Sequence, residues 1–372
     1  MGQEIIIASE GYSELDEYFC NNKISKVLLV CGASSGSLRI GRYFENLEER
    51  MGVKVIKFSD FTPNPLYESV VTGVKVFCDH ACDAIAAVGG GSALDVAKCI
   101  KLFSNMDHDE NYLRQRIVPN SVKLLAVPTT AGTGSEATRY AVIYYNGEKQ
   151  SVTDDSGLPS TVLMDASALQ TLPEYQRKST MLDALCHAIE SFWSVNSTEE
   201  SKSFSREAIR MILSNKDAYL ANMEDGNTNM LWAANLAGKA INITQTTAGH
   251  AMCYKLTSLY GIAHGHAAAL CTSKLWPYMV SHVERCIDPR GEVYLRNVFE
   301  EIADAMDCKS PEDAIELFDN LLSGLQLVVP TPEKEKDFKT LVDSVNPVRL
   351  KNNPVALNEA TLNSLYHQIL NV

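Results

Sequence analysis

Three apolar runs, each passing straight into a turn rich in glycine, serine or threonine, constrain this chain more than any other feature. Lys26–Val30 (KVLLV) leads into CGASSGS, Ala84–Val88 (AIAAV) into GGGSALDVAKCI, and Lys123–Val127 (KLLAV) into PTTAGTGSE. Strands this uniformly apolar are buried on both faces, as in a parallel sheet covered by helices on each side. Val53–Phe58 reads as a further strand, closed by the prolines of FTPNP, and Tyr67–Cys78 reads as a helix. Within 141–170 the pieces VIYY and STVLMD are strand-like, with an acidic loop between them.

From about Tyr175 the texture changes to helical spacing, in stretches near 180–195, 200–221, 228–243, 266–280 and 310–325. A final helix is expected over Asn358–Leu370. The chain therefore divides after Leu172-Pro173 into an α/β dinucleotide-binding domain, 1–174, and an all-α metal-binding and catalytic domain, 175–372. With 45% apolar residues, each half has material for its own core.

The 33 Lys+Arg against 46 Asp+Glu leave a formal net charge of -13, which disfavours nucleic acid and anionic membrane as partners. The N-terminal MGQEIIIASEGY lacks a basic region and a signal core, and no apolar run approaches the ~20 residues of a membrane span. Ten cysteines without a CxxC pair read as free thiols in a reducing compartment. The expected location is cytoplasmic.

Gly89, Gly90, Gly91 and Ser92 follow one strand and open a helix containing Asp95 and Lys98. Glycines let backbone N–H groups approach a phosphate, and a helix N-terminus favours the negative charge. Thr129, Thr130, Gly132, Thr133, Gly134 and Ser135 follow another strand, so the two loops should meet at the carboxyl edge of the sheet. Neither is a GxGxxG or a GxxxxGK[ST], so the ordinary fingerprints are absent. Together the loops indicate a dinucleotide or another phosphorylated ligand. No Asp or Glu lies between Val27 and Ile40 to hold ribose hydroxyls, whereas Ser34, Ser35 and Arg39 near Gly32 suit a 2′-phosphate. NADP(H) is therefore expected over NAD(H).

Asp183 and His187 are four apart in MLDALCHAIESFW, which places both on one helical face. On its own that pairing is commonplace. His250 and His264, flanking a turn at Gly261, add two nitrogens that could converge with it. One oxygen and three nitrogens suit Fe(II), Zn(II) or another divalent first-row metal, and the donor types do not choose among these. Such an ion would polarise a carbonyl while a nicotinamide carries the electrons. His266, two residues beyond His264, is expected beside the ligands or on the substrate side. His80, His108, His282 and His367 are assigned structural roles.

GGGSALDVAK, PTTAGTGSEAT, DALCHAIE and the HGH segment together resemble the iron-containing alcohol dehydrogenases, which have a dehydroquinate-synthase-like fold. The resemblance spans essentially the whole chain. It implies Asp183, His187, His250 and His264 as metal ligands, iron first among the metals. It also implies phosphate and nicotinamide roles for Gly90, Gly91, Ser92, Asp95, Lys98, Thr129, Thr130 and Ser135, and a homodimer or larger homo-oligomer. Two positions depart from the family pattern. Tyr254 stands where many members have a proton-relay histidine, and Gly32 where NAD-preferring members often have Asp.

The stretches AIESFWSVNS and AINITQTTAGHAMCYKLTSLYGIAHGHA resemble the branch that reduces phosphonoacetaldehyde to 2-hydroxyethylphosphonate. An anionic aldehyde would need cations, and Arg139, Lys149 and Lys255 are candidates, joined by Tyr254, Thr257 and Ser258. The alternative within the family is a general short-chain alcohol dehydrogenase of butanol or lactaldehyde type. A dehydroquinate-synthase-like lyase would need a larger polyhydroxylated-substrate site. A nucleotide-binding structural protein would have no use for the Asp183 and histidine set.

Overall fold

The computed structural model describes residues 3–332 and 336–371. The chain divides into two compact units, Met1–Leu172 with Asn222–Leu231, and Pro173–Ala221 with Trp232–Val372.

In the first unit, six strands form one parallel sheet among the described residues. They are β1 (Glu4–Ile7), β2 (Lys26–Cys31), β3 (Lys54–Phe58), β4 (Ala84–Gly89), β5 (Lys123–Pro128) and β8 (Thr161–Met164), in the order β1-β8-β5-β4-β2-β3. β2, β4 and β5 occupy the middle, and their apolar runs are buried along almost their whole length. Alternate residues point to opposite faces. Val27, Leu29 and Cys31 therefore join Ala84, Ala86, Val88, Leu125 and Val127 in a core that includes Leu15, Phe19, Ile40 and Phe44 from two helices.

From β2 the chain moves outward to β3, then returns to the other side of β2 for β4. This reversal is a topological switch point, where ligands of open α/β sheets bind at the carboxyl ends. The loops at Gly32 and Gly89 lie at those ends.

Two features differ from the sequence expectation. Glu4–Ile7 is a strand, pairing in parallel with β8 from Glu4 opposite Thr161. The stretch after VIYY is not simply an acidic loop: β6 (Tyr140–Tyr145) and β7 (Glu148–Thr153) form an antiparallel hairpin. Asn146 and Gly147 turn it, both at positive φ (52° and 79°), as a two-residue turn of the twist-matched kind requires.

The second unit is helical. Glu174–Trp193 is its spine, with every residue from Met181 to Trp193 buried. A helix hidden on all sides has no solvated face for polar groups, so those it carries need partners. Ala248–Tyr260 ends at Gly261, whose φ of 68° reverses the chain, and His264–Ser281 follows. Glu292–Ala305 and Lys336–Asp343 are helices that the apolar spacing did not single out. No described helix is long and apolar enough to cross a membrane.

Candidate functional site

The two glycine loops meet. A Cβ on Gly90 would lie 3.2 Å from Thr130 Cγ2, and one on Gly91 3.1 Å from Thr133 Cγ2. Thr129 N–H also donates to the carbonyl of Gly89 at 3.0 Å. Gly90 begins the helix Gly91–Phe103 without a side-chain cap, so its first N–H groups are not closed off by a neighbouring hydroxyl or carboxylate. That is the arrangement an anion exploits at a helix N-terminus.

Asp95 and Lys98 fix the second loop from within this helix. Asp95 accepts from Ser135 Oγ at 2.7 Å and from Val142 N–H at 3.0 Å. The fully buried Lys98 Nζ donates to Ser135 Oγ (2.8 Å), Thr138 Oγ1 (3.1 Å) and the carbonyl of Tyr140 (2.7 Å). An ammonium has three protons and all three are engaged. The amine therefore pins the second loop to this helix. Burial pulls its pKa down to about 8, against the opposing charges of Asp95 and Glu136.

At the end of β2, Ser34 is exposed but Ser35 turns inward, donating from Oγ to the carbonyl of Gly32 at 2.8 Å. Ser35 thus caps its own turn. Arg39 donates to the carbonyl of Ser9 at 3.1 Å and lies over the Tyr12 ring. Space is open where a Cβ would stand on Gly32.

In the helical unit, Asp183, His187 and His250 converge. One donor atom from each lies within 4.8 Å of the others, and all three side chains are buried. Asp183 Oδ1 is 4.0 Å from His187 Nε2 and 3.4 Å from His250 Nε2. The two imidazoles stack at 4.3 Å with 15° between planes. Glu190, which sequence reasoning missed, completes the arrangement. Its Oε1 accepts from His250 Nδ1 at 2.5 Å, and its Oε2 accepts from the Thr247 N–H and hydroxyl, both at 2.7 Å. The signal was present: Glu190 lies seven residues after Asp183, on the same helical face.

Burial disfavours charge here, yet Glu190 and Asp183 outweigh it and push His250 up to about 10. Burial likewise opposes the Asp183 charge, but His187, the His250 hydrogen bond and His264 hold its carboxyl well below the usual range. The donor set fits a divalent first-row ion. It offers one carboxylate and paired Nε2 atoms, with Nδ1 of His250 fixed by a carboxylate in the manner of metal-binding histidines.

His264 stands beside this trio, its ring 5.4 Å from that of His250 and stacked on Tyr254 at 5.4 Å. Cys253 Sγ is 3.6 Å from His264 Nδ1. Gly265 explains how the helix carrying His264 comes so near. A Cβ there would meet the Ser179 carbonyl oxygen at 2.0 Å and Asp183 Cβ at 2.6 Å. His266 is buried, with its N–H on Ser179 Oγ and its Nδ1 near Tyr175 Oη.

Arg139 pairs with Asp155 at 3.3 Å, and Lys149 lies on β7, both in the first unit. Lys255 belongs to the second. Thr257 and Ser258 donate their hydroxyls to carbonyls of their own helix, Cys253 and Lys255. His108, His282 and His367 hydrogen-bond locally to Tyr112, Tyr278 and Asn363.

Residues 2–166 match the iron-containing alcohol dehydrogenase pattern, and residues 178–370 match the C-terminal pattern of the same family. The chain belongs to the iron-containing alcohol dehydrogenase family. Its N-terminal α/β and C-terminal helical architecture is that of the family. Metal-dependent, NAD(P)-linked alcohol and aldehyde oxidoreduction is its activity. Among relatives, it is 30% identical over 300 residues to phosphonoacetaldehyde reductase of Streptomyces viridochromogenes, covering 76% of this chain and 75% of the other. It is 28% identical over 360 residues to 1,3-propanediol dehydrogenase of Citrobacter freundii, covering 92% and 91%. The crystal structure of sulfoacetaldehyde reductase from Bifidobacterium kashiwanohense in complex with NAD+ superposes with a TM-score of 0.87, covering 99% of this chain and 97% of that one. At 24% identity, that likeness speaks to the fold alone.

Proposed function

We propose that this iron-containing alcohol dehydrogenase interconverts a short-chain aldehyde and its primary alcohol, with NADP(H) preferred over NAD(H). The observation that carries this reading is the buried Asp183, His187 and His250 trio with Glu190 behind it. Asp183, His187 and His250 would hold the metal, iron(II) first and zinc(II) second, with His264 as fourth ligand. A bound ion supplies Lewis-acid polarisation of a substrate oxygen, and reduced nicotinamide supplies a hydride. Overall, aldehyde, NADPH and a proton give alcohol and NADP+.

The remaining roles fall to the chain's own groups. Gly90, Gly91 and Ser92 would carry the pyrophosphate on the uncapped helix start, and the loop Thr129–Ser135, held by Asp95 and Lys98, would close over it. Residues 1–174 would serve the cofactor and 175–372 the metal. Tyr254, stacked on His264, takes the place of the usual relay histidine. Its phenol is a weak acid near neutrality, so a proton reaches the product through water or this hydroxyl. A homo-oligomer is proposed on the family's habit.

The broad reading, of butanol, lactaldehyde or propanediol type, has the wider support, since relatives acting on different alcohols match at comparable identity. A second, narrower reading is reduction of phosphonoacetaldehyde to 2-hydroxyethylphosphonate, favoured by the 30% identical relative of that name. The test is nicotinamide oxidation by metal-reconstituted protein with butanal, propanal, lactaldehyde and phosphonoacetaldehyde. Turnover of the neutral aldehydes at equal or better kcat/KM removes the narrow reading. Failure with every aldehyde removes the broad one.

A further inference from the structure

The helix Glu174–Trp193 carries Tyr175, Ser179, Asp183 and His187 at four-residue intervals, a single polar line along one face. His266 joins the part of this line before Asp183. Its backbone N–H donates to Ser179 Oγ at 3.1 Å, and its Nδ1 lies 3.2 Å from Tyr175 Oη. The same hydroxyl accepts the N–H of Ala263, the N-cap residue of helix His264–Ser281, at 2.8 Å. The imidazole is therefore folded back over the start of its own helix. It is 1% exposed, and its Nε2 meets no hydrogen-bonding partner among the described residues. A buried polar atom left in that condition is destabilising until something meets it.

We infer that His266 Nε2 carries the ring proton and donates it to an oxygen of an acidic group on the substrate. In this arrangement the Tyr175 hydroxyl donates to Nδ1, which leaves the ring proton on Nε2. The N-terminal end of an 18-residue helix adds positive potential at the same place. Ser179 precedes Asp183 by one helical turn, a rise of about 5.4 Å. Ser179 holds the His266 backbone, so the start of helix His264–Ser281 lies within one turn of the Asp183 position. A plain alkyl tail would leave Nε2 unmet. The inference rests on the narrow, anionic-substrate reading above and adds an imidazole donor to its candidate cations.

The test compares metal-loaded wild type with His266→Leu, which fills the space without a donor, and His266→Gln, which restores one. Tyr175→Phe removes the orienting hydroxyl at an exposed position. Dissociation constants are measured for 2-hydroxyethylphosphonate, 2-hydroxyethanesulfonate and 1-propanol, with metal content as a control. Loss of a hydrogen bond to a charged group predicts about 10- to 100-fold weaker binding of the acids in His266→Leu. Propanol should be nearly unaffected, Gln should recover most of the loss, and Tyr175→Phe should weaken the acids several-fold. The two acids together reveal which oxyanion the site prefers. Equal losses for acid and propanol, or none in His266→Leu and Tyr175→Phe, overturn the role of His266 alone. A wild type that binds propanol as well as either acid overturns the anionic-substrate reading itself.

Discussion

His250 and Glu190 form a buried imidazole–carboxylate pair, with Nδ1 and Oε1 2.5 Å apart and Nε2 directed toward Asp183. The pair fixes which nitrogen faces the metal ligands, and Thr247 anchors the far carboxylate oxygen. Glu190→Gln keeps the shape and removes the charge. Metal affinity should fall about 10- to 100-fold, read by chelator competition. Unchanged affinity would reduce Glu190 to a packing residue.

Replacing His187 or His264 by alanine should lower both metal content and aldehyde reduction sharply, with the fold intact by circular dichroism. Full occupancy in both variants would sink the four-ligand assignment. Loss in His187→Ala with full occupancy in His264→Ala would restrict the site to the converged trio.

Gly265→Ala tests the close approach of two helices. Its Cβ would meet a backbone carbonyl oxygen at 2.0 Å, which no rotamer change relieves. Destabilisation of about 1–3 kcal/mol is expected from overpacking, seen as a lower Tm of the metal-free protein. An unchanged Tm would mean that the helices separate freely.

Lys98 gives a pH signature. Burial holds its pKa near 8, against an ordinary 10.5. Between those values the unfolded chain binds more protons than the folded one, so stability from this group rises with pH across the window and is absent below it. The Tm difference between wild type and Lys98→Met should therefore shift in favour of wild type from pH 8 to 10. A flat difference would show a normally titrating amine.

Gly32→Asp can be made without a steric clash, since nothing lies within 4 Å of the added Cβ. The carboxylate should repel a 2′-phosphate and accept from ribose hydroxyls, moving kcat/KM toward NADH. A wild type already favouring NADH would overturn the expected preference for NADP(H).

Much of the architecture was readable because β2, β4 and β5 are apolar on both faces, a pattern few folds accommodate. β1 was harder: EIII is short, and an edge strand is recognised by the partner it finds, here β8, more than 150 residues away in sequence. β7 is polar on most of its length, so hydrophobicity could not mark it, although Asn146-Gly147 announced the turn. Asp183 and His187 were visible through their spacing. Glu190 shares their helical face, seven residues from Asp183, but a carboxylate there looks like a solvated one until burial is known. Ser35 and Lys98 make contacts within the protein that residue type did not announce, since the direction of a hydroxyl or an amine depends on tertiary neighbours.

The contact at Gly265 has a bearing on which ion this protein can keep. Asp183 and His264 come from helices whose main chains touch with no side chain between them. Their separation is therefore set by peptide against peptide, and side-chain rotation can adjust it only slightly. With His264 as the proposed fourth ligand, an opening framed in this way would discriminate by ionic radius as well as by donor chemistry. A cation that is too large must push two helices apart, and one that is too small must leave a ligand out of reach.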